Sequence, residues 1–377
     1  MKPDLRPQAI RSVQTQLLAW FDLHKRILPF RDSRDPYRVW VSEVMLQQTT
    51  VTAVVPFFER FLTLFPTVQA LANAPEQAVL KAWEGLGYYR RARHLHAAAK
   101  LLAERFGEAL PDDPEIWAEL PGVGRYILGA VLSRAFDRKL PIVEANSLRV
   151  LSRWHGYPGD PRVGEGKAWV WHAAEQLLPE KRAGDFNEAL MELGALVCTP
   201  ESPDCSHCPL RRSCVAHEKG LQSSIPGKAK PPVMTKVDEA AVAIRRGDTI
   251  LLGQRPDGVR WAGMWELPHG PIEAGESANS CALRLARDLV GLTMTLGRHV
   301  TTVRHTVTRY DITMTCLEAT ATGRARSSFY VQLQWVSAND LAELPLPIPQ
   351  RKLLRSLFEN AKAGVRRSGQ RTRSPLS

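Results

Sequence analysis

A chain of 377 residues exceeds one ordinary domain, and 44% hydrophobic residues suffice for a substantial core, which excludes a wholly disordered protein. A formal net charge of +11 favours polyanionic partners, nucleic acid before acidic membrane, with a merely basic surface as the plain alternative. No apolar run reaches transmembrane length, and MKPDLRPQAIRS lacks the hydrophobic stretch that directs export, so a cytoplasmic location with reduced cysteines is expected.

Residues 8–216 read as helical. VQTQLLAWFDLH, EVMLQQTTVTAVVPFFERFLTLF, EQAVLKAWEGLGYYRRARHLHAAAKLLAERF and KAWVWHAAEQLL place apolar residues at i, i+3, i+4 spacing. Short Pro- and Gly-containing stretches separate them. The expected first domain therefore spans residues 1–216 and is all-α. Residues 217–236 are polar with Gly, Pro and Lys and read as a linker. Strand-like runs follow (AAVAIRRG, TILLGQR, HVTTVRHTV, YDITMTCLEATAT, FYVQLQWVS), with the helical pattern SANSCALRLARDLVGL among them, predicting a smaller α+β domain over 237–358. The tail, 359–377, carries Lys362, Arg366, Arg367, Arg371 and Arg373 among Gly and Ser and is expected to be a disordered basic segment.

Four segments carry chemistry. Glu43 in VWVSEVMLQQTTV lies in an apolar frame at a helix start. It is either a carboxylate that favours the helix N-terminus or a carboxylic acid poised to hand over a proton. In LPGVGRYILGAV, Gly122 and Gly124 permit a tight hairpin whose backbone N–H groups can approach a phosphate, with a helix directly behind. In PIVEANSLRV, Glu144 stands before a helix-like run, where capping is the ordinary role. Cys198, Cys205, Cys208 and Cys214, spaced C-x6-C-x2-C-x5-C, suit zinc or a [4Fe–4S] cluster, and spacing alone does not separate the two.

In their order, SEVMLQQT, KAWEGLGYYRRARHL, LPGVGRY and FNEALMELGALVC resemble the helix-hairpin-helix base-excision glycosylases, and among them the adenine DNA glycosylases of the MutY type. The resemblance covers residues 10–216 closely and continues more weakly beyond. It implies a multidomain protein: an all-α helix-hairpin-helix glycosylase domain with an iron–sulfur loop over 198–214, followed by an α+β Nudix-like lesion-reading domain. The implied reaction is hydrolysis of the N-glycosidic bond of an adenine mispaired with 8-oxoguanine or guanine, after the base is flipped from duplex DNA. Glu43 would protonate adenine and Glu144 would stabilise the sugar cation, with Tyr126 beside them. The strand-cleaving relatives carry a lysine where this chain has Tyr126, so no Schiff base can form and a monofunctional enzyme is expected.

Other implied roles fall on single residues. Gln48 and Tyr88 match wedges into the duplex, and Arg26, Arg31, Asn146 and Glu188 match pocket residues. Gly122 and Gly124 match the DNA-binding hairpin, and the four cysteines match [4Fe–4S] ligands. A monomer working on the nucleoid of a bacterial-type cytoplasm, with no membrane partner, is implied.

The chain also departs from the family pattern. Glu144 stands where the family has aspartate, roughly 1.5 Å longer in reach, and Ala145 where it has glycine. Phe30 replaces a tryptophan of the pocket wall, and the loop TPESPD is acidic. Val307-Thr308-Arg309 replaces the F-S-H reading loop, with Thr308 keeping the hydroxyl that could meet 8-oxoguanine. Leu285 and Leu289 stand where a Nudix hydrolase needs metal-binding acids, so no Nudix hydrolysis is expected.

Overall fold

The structure, a computed structural model, describes residues 7–227 and 233–370, with side chains up to Glu359. It divides into two compact units, 1–73 with 94–230, and 74–93 with 231–377. In chain order the helices are α1 (Pro7–His24), α2 (Pro36–Leu46), α3 (Val51–Leu64), α4 (Val68–Asn73), α5 (Glu76–Ala82), α6 (Arg90–Phe106), α7 (Pro114–Ala118), α8 (Arg125–Phe136), α9 (Ala145–His155), α10 (Gly164–Leu177), α11 (Ala183–Leu196) and α12 (Val215–Glu218). The strands β1 (Thr235–Arg246), β2 (Thr249–Gln254), β3 (Trp265–Glu266) and β4 (His269–Pro271) follow. Then come α13 (Ala278–Val290), β5 (Met294–Val307), β6 (Tyr310–Ala321), β7 (Gln332–Val336) and α14 (Ile348–Gln370).

In the first unit the apolar stripes of α1, α9, α10 and α11 meet in one core, with Leu17, Phe21, Leu151, Trp154, Leu177, Phe186 and Leu193 at its centre. Two long periodic runs of the sequence break where their residues resist helix. The run from Glu43 to Leu64 stops after Leu46, at Gln48 (φ 58°) and the β-branched Thr49 and Thr50, and restarts as α3 at Val51. The run from Glu76 stops at Trp83 and restarts at Arg90, across Gly85 and Gly87 in positive φ.

The second unit is a mixed sheet in the order β3-β2-β1-β6-β5, with β4 also on β1 and β7 also on β2. β1 runs parallel to β6, so the centre is covered on both faces and β1 reads as an almost unbroken apolar run. The two-residue period decides the packing. Ala241 and Ala243 meet Leu353, Leu354 and Leu357 of α14, whereas Val242 and Ile244 meet Ala282 and Ala286 of α13. β5 and β6 close a hairpin at Val307↔Tyr310.

Three expectations change. Residues 74–93, read in sequence as part of the helical domain, belong to the second unit. Polar contacts hold them there: Arg351 forks onto Glu84 at 2.6 and 2.7 Å, and Gln77 bonds both Gly263 O and Trp265 Nε1. The smaller domain carries helices on both faces, because α14, unseen in the sequence, covers the second one. The tail expected to be disordered from 359 continues α14 to Gln370, since a packed first half lets the helix propagate into Ala- and Lys-containing sequence; Arg371 and Arg373 lie outside the described residues. Linker residues 228–232 also lie outside them.

The α8–α11 crossing depends on a glycine. A Cβ at Gly184 would lie 2.4 Å from Ser133 O and 2.9 Å from Arg134 Cα. Gly184→Ala should lower unfolding free energy by about 1–3 kcal/mol, read by urea denaturation with helix content unchanged.

Candidate active site

Glu43 sits in α2 with its side chain 2% exposed. Asp35 caps that helix by accepting Tyr37 N–H at 2.8 Å, and Pro36 starts it, so the carboxylate is carried on a fixed element. Two side chains of α8 grip it. Tyr126 OH donates to Oε2 at 2.5 Å and Arg134 Nη1 donates to Oε1 at 2.5 Å. Burial, then the Glu43 charge, push the Tyr126 phenol well above its ordinary range, so it remains a donor.

Arg134 carries the network on. Its Nη2 donates to Phe30 O at 2.9 Å and lies 3.3 Å from Glu188 Oε1 in α11. Arg31 bonds Glu188 at 3.1 Å and Glu192 at 3.1 Å, and Arg26 forks onto Glu192 at 2.9 and 2.7 Å. Burial opposes the Glu192 charge, but the bonds from Arg26 and Arg31 prevail and hold its carboxyl at about 2. The expected pocket residues Arg26, Arg31 and Glu188 are thus brought together, yet turned onto one another. Phe30 is buried edge-on against Phe58 at 5.7 Å.

Glu144 is the N-cap of α9. Its Oε1 accepts Asn146 N–H and Ser147 N–H at 2.8 Å each, and Ser147 Oγ returns the bond by accepting Glu144 N–H at 2.9 Å, a complete capping box. Oε2 accepts only Asn146 Nδ2, at 3.1 Å. Ala145 is the first helical residue and has no need of positive φ, so alanine is tolerated there. The pKa of Glu144 is raised, by burial first, against the two backbone bonds and Arg149, with Glu43 adding to the rise. Tyr126 and Glu43 are joined directly, and the Glu144 charge adds to the rise of the Tyr126 phenol.

Gly122 has φ +78°, and a Cβ there would meet His94 Cβ at 2.7 Å, so the hairpin requires glycine. Gly124 is the N-cap of α8 without a side-chain cap bond, and a Cβ there would face open space. The first N–H groups of α8 therefore remain available to an anion. Gln48 (φ 58°), Tyr88 (φ 48°) and Thr308 (φ 52°) are all exposed non-glycine residues in the left-handed region, a costly backbone that clusters at functional positions. The tyrosine pair separates: Tyr88 is 52% exposed, whereas Tyr89 is buried. Thr308 forms the β5–β6 hairpin tip, its hydroxyl donating to Val307 O at 2.7 Å.

Cys198, Cys205, Cys208 and Cys214 are free and half-buried, with three of them packed on the first unit's core. Arg153 Nη1 reaches Cys198 Sγ at 3.5 Å and Gln222 Nε2 reaches Cys205 Sγ at 3.8 Å. Among the described residues, no three His, Cys, Asp or Glu side chains converge on a single metal ion. The N–H donors at the Cys198 and Cys205 sulfurs suit thiolates that serve as metal ligands. In the second unit Leu285 is buried with Ala240 and Cys281, and Glu276 is tied to Arg284 at 2.9 and 2.8 Å.

Residues 41–174 match the model of the HhH-GPD superfamily base excision DNA repair proteins, and residues 240–356 match that of the NUDIX domain. The chain is 32% identical to the adenine DNA glycosylase of Mus musculus over 96% of its own length and 81% of the mouse protein. The chain belongs to the adenine DNA glycosylase family. It is 33% identical to the adenine DNA glycosylase of Buchnera aphidicola subsp. Schizaphis graminum, over 67% of this chain and 73% of that protein. A solved thermostable thymine-DNA glycosylase is 28% identical with a TM-score of 0.50, over 56% of this chain and 97% of its own.

Arg134 and Glu192 were not singled out in the sequence. The available signal was one arginine inside the apolar run ILGAVLSRAF, two helical turns after Tyr126. Removing the cap separates structure from chemistry: Glu144→Ala should cost about 1 kcal/mol of stability by thermal unfolding, as for other N-caps. Gly122→Ala should weaken duplex binding, read by fluorescence anisotropy, and should also lower the melting temperature, because the added Cβ meets His94 in a backbone that favours glycine.

Proposed function

We propose that the chain is a monofunctional glycosylase that removes adenine paired with 8-oxoguanine or guanine, with Glu43 as acid and Glu144 as the anion beneath the sugar cation. The reading is supported by Tyr126 donating to the buried Glu43, by the charge of Glu144 bearing on Tyr126, and by a glycine hairpin whose backbone can hold a phosphate.

The Glu43 O–H bond breaks and its proton goes to a ring nitrogen of adenine. The C1′–N9 bond breaks with its electrons leaving on the base. Water adds hydroxide to C1′ and its remaining proton returns to Glu43. The sugar is cationic in between, and Glu144 Oε2, the less occupied oxygen, faces that charge. Tyr126 fixes Glu43 and offers no amine for a Schiff base. Gln48 and Tyr88, exposed and held in a strained backbone, suit wedging where the base has left. Arg26, Arg31, Asn146 and Glu188 hold the carboxylates in place, and Phe30 supplies apolar wall. Thr308 offers a hydroxyl to the lesion opposite. The second unit reads rather than hydrolyses, since buried Leu285 takes the place of a metal-binding acid. Cys198, Cys205, Cys208 and Cys214 would hold a [4Fe–4S] cluster, which would brace the loop 198–214 toward DNA.

The activity is tested on purified protein with duplexes carrying A opposite 8-oxoguanine, G, C or T. Alkali-labile sites should form opposite 8-oxoguanine and G. Glu43→Gln should lose about 10²–10⁴-fold. Borohydride should trap no covalent adduct. Burial raises the Glu144 pKa, so protonation removes the sugar-facing anion at a higher pH than for an exposed glutamate, and excision should fall on that acidic side in a pH–rate profile. Absence of base release opposite every partner would overturn the reading. Iron and sulfide analysis of the purified protein tests the cluster.

A further inference from the structure

The guanidinium of Arg134 touches Glu43 and is not used by the reading above. It is a permanent charge with its side chain 4% exposed, near the end of a helix that is apolar from Ile127 to Leu132. Such a charge needs an anion at every stage of a reaction. Two are within reach: Glu43 Oε1 at 2.5 Å and Glu188 Oε1 at 3.3 Å. Its Nε has no hydrogen-bond partner, and a polar cavity of about 30 Å³ lies beside it, lined by Arg31, Ser133, Arg134, Asp185 and Glu188 among others. That volume admits a water, not a purine, and leaves the guanidinium room to shift. Glu188 can accept it, because its other partner, Arg31, is also held by Glu192.

An acid that gives up its proton becomes an anion. A guanidinium already aligned on Glu43 Oε1 meets the charge as it develops, which is stabilisation realised in the transition state rather than before it. The same contact opposes reloading of the proton, and Glu188 competes with Glu43 for the guanidinium.

We propose that Arg134 is a positioning residue for excision, shared between Glu188 and Glu43 and stabilising the Glu43 anion as its proton leaves. The proposal rests on the reading of Glu43 as the acid. Facing Glu43 are Tyr126 and Arg134 from α8 and the charge of Glu144 from the start of α9, with Glu188 and Arg31 reached through Arg134.

The test is the pH dependence of single-turnover adenine release, with mispair affinity measured alongside. In Arg134→Met the alkaline fall-off should move up by about 1–3 pH units, because the charge favouring the anion is gone. The maximal rate should fall about tenfold or more, with affinity nearly unchanged. In Glu188→Gln, which locks Arg134 onto Glu43, the fall-off should move down. Arg134→Lys keeps the charge and should leave it in place, which also covers a Met variant that does not fold. A fall-off unmoved in both Arg134→Met and Glu188→Gln, with only amplitude lost, would mean a structural role and overturn the proposal. If wild type releases no adenine, the functional reading fails by itself. Arg134 is then read from the ¹³C carboxyl resonance of Glu43, assigned with Glu43→Gln. Its midpoint should be higher in Arg134→Met, and an equal midpoint overturns the proposal.

Discussion

The first unit is built around a chain of buried opposite charges: Glu43, Arg134, Glu188, Arg31, Glu192 and Arg26. Three carboxyl groups meet three guanidiniums, and most of the set is largely hidden from water. Taking such charges from solvent costs several kcal/mol each, and only near-complete pairing offsets it. The pairing requires α2, α8 and α11 to sit at one mutual geometry, together with the 26–31 turn. Loss of one member therefore strands a charge several residues away. The network consequently fixes where the Glu43 carboxylate points more firmly than apolar packing alone would.

Glu144 is fixed by a different device. Its cap bonds come from its own helix, so its position is set locally and does not rely on the ion-pair chain. A longer side chain than the family's aspartate still closes a full capping box, with one oxygen spent on the backbone and the other on Asn146. Capping and chemistry are therefore compatible roles for this residue. The cap backbone is extended (φ −135°, ψ −176°) and is followed directly by helical Ala145.

Much of this was legible in the sequence, for identifiable reasons. The helical first domain, the glycine hairpin and the strands of the second domain were announced by periodicity and by glycines. The family resemblance supplied the joint role of Glu43, Tyr126 and Glu144. What stayed hidden was long-range. α14 was missed because its apolar positions are few among charges, and residues 74–93 were misassigned because the polar contacts that tie them to the second unit come from residues far along the chain. Arg134 was invisible because nothing local shows that a charge within an apolar helix faces a carboxylate about 90 residues earlier in the chain.

The central claim is that the charge of Glu144, and not its capping geometry, serves the reaction. Glu144→Gln separates the two, since the amide oxygen still accepts the N–H bonds of Asn146 and Ser147 while the charge is gone. The decisive measurement is the single-turnover release of free adenine from an A:8-oxoguanine duplex by this variant and by wild type, at matched melting temperature. The account predicts a loss on the order of 10²–10³-fold, as when one stabilising group is removed from a charged transition state. Release by the variant at the wild-type rate would contradict it.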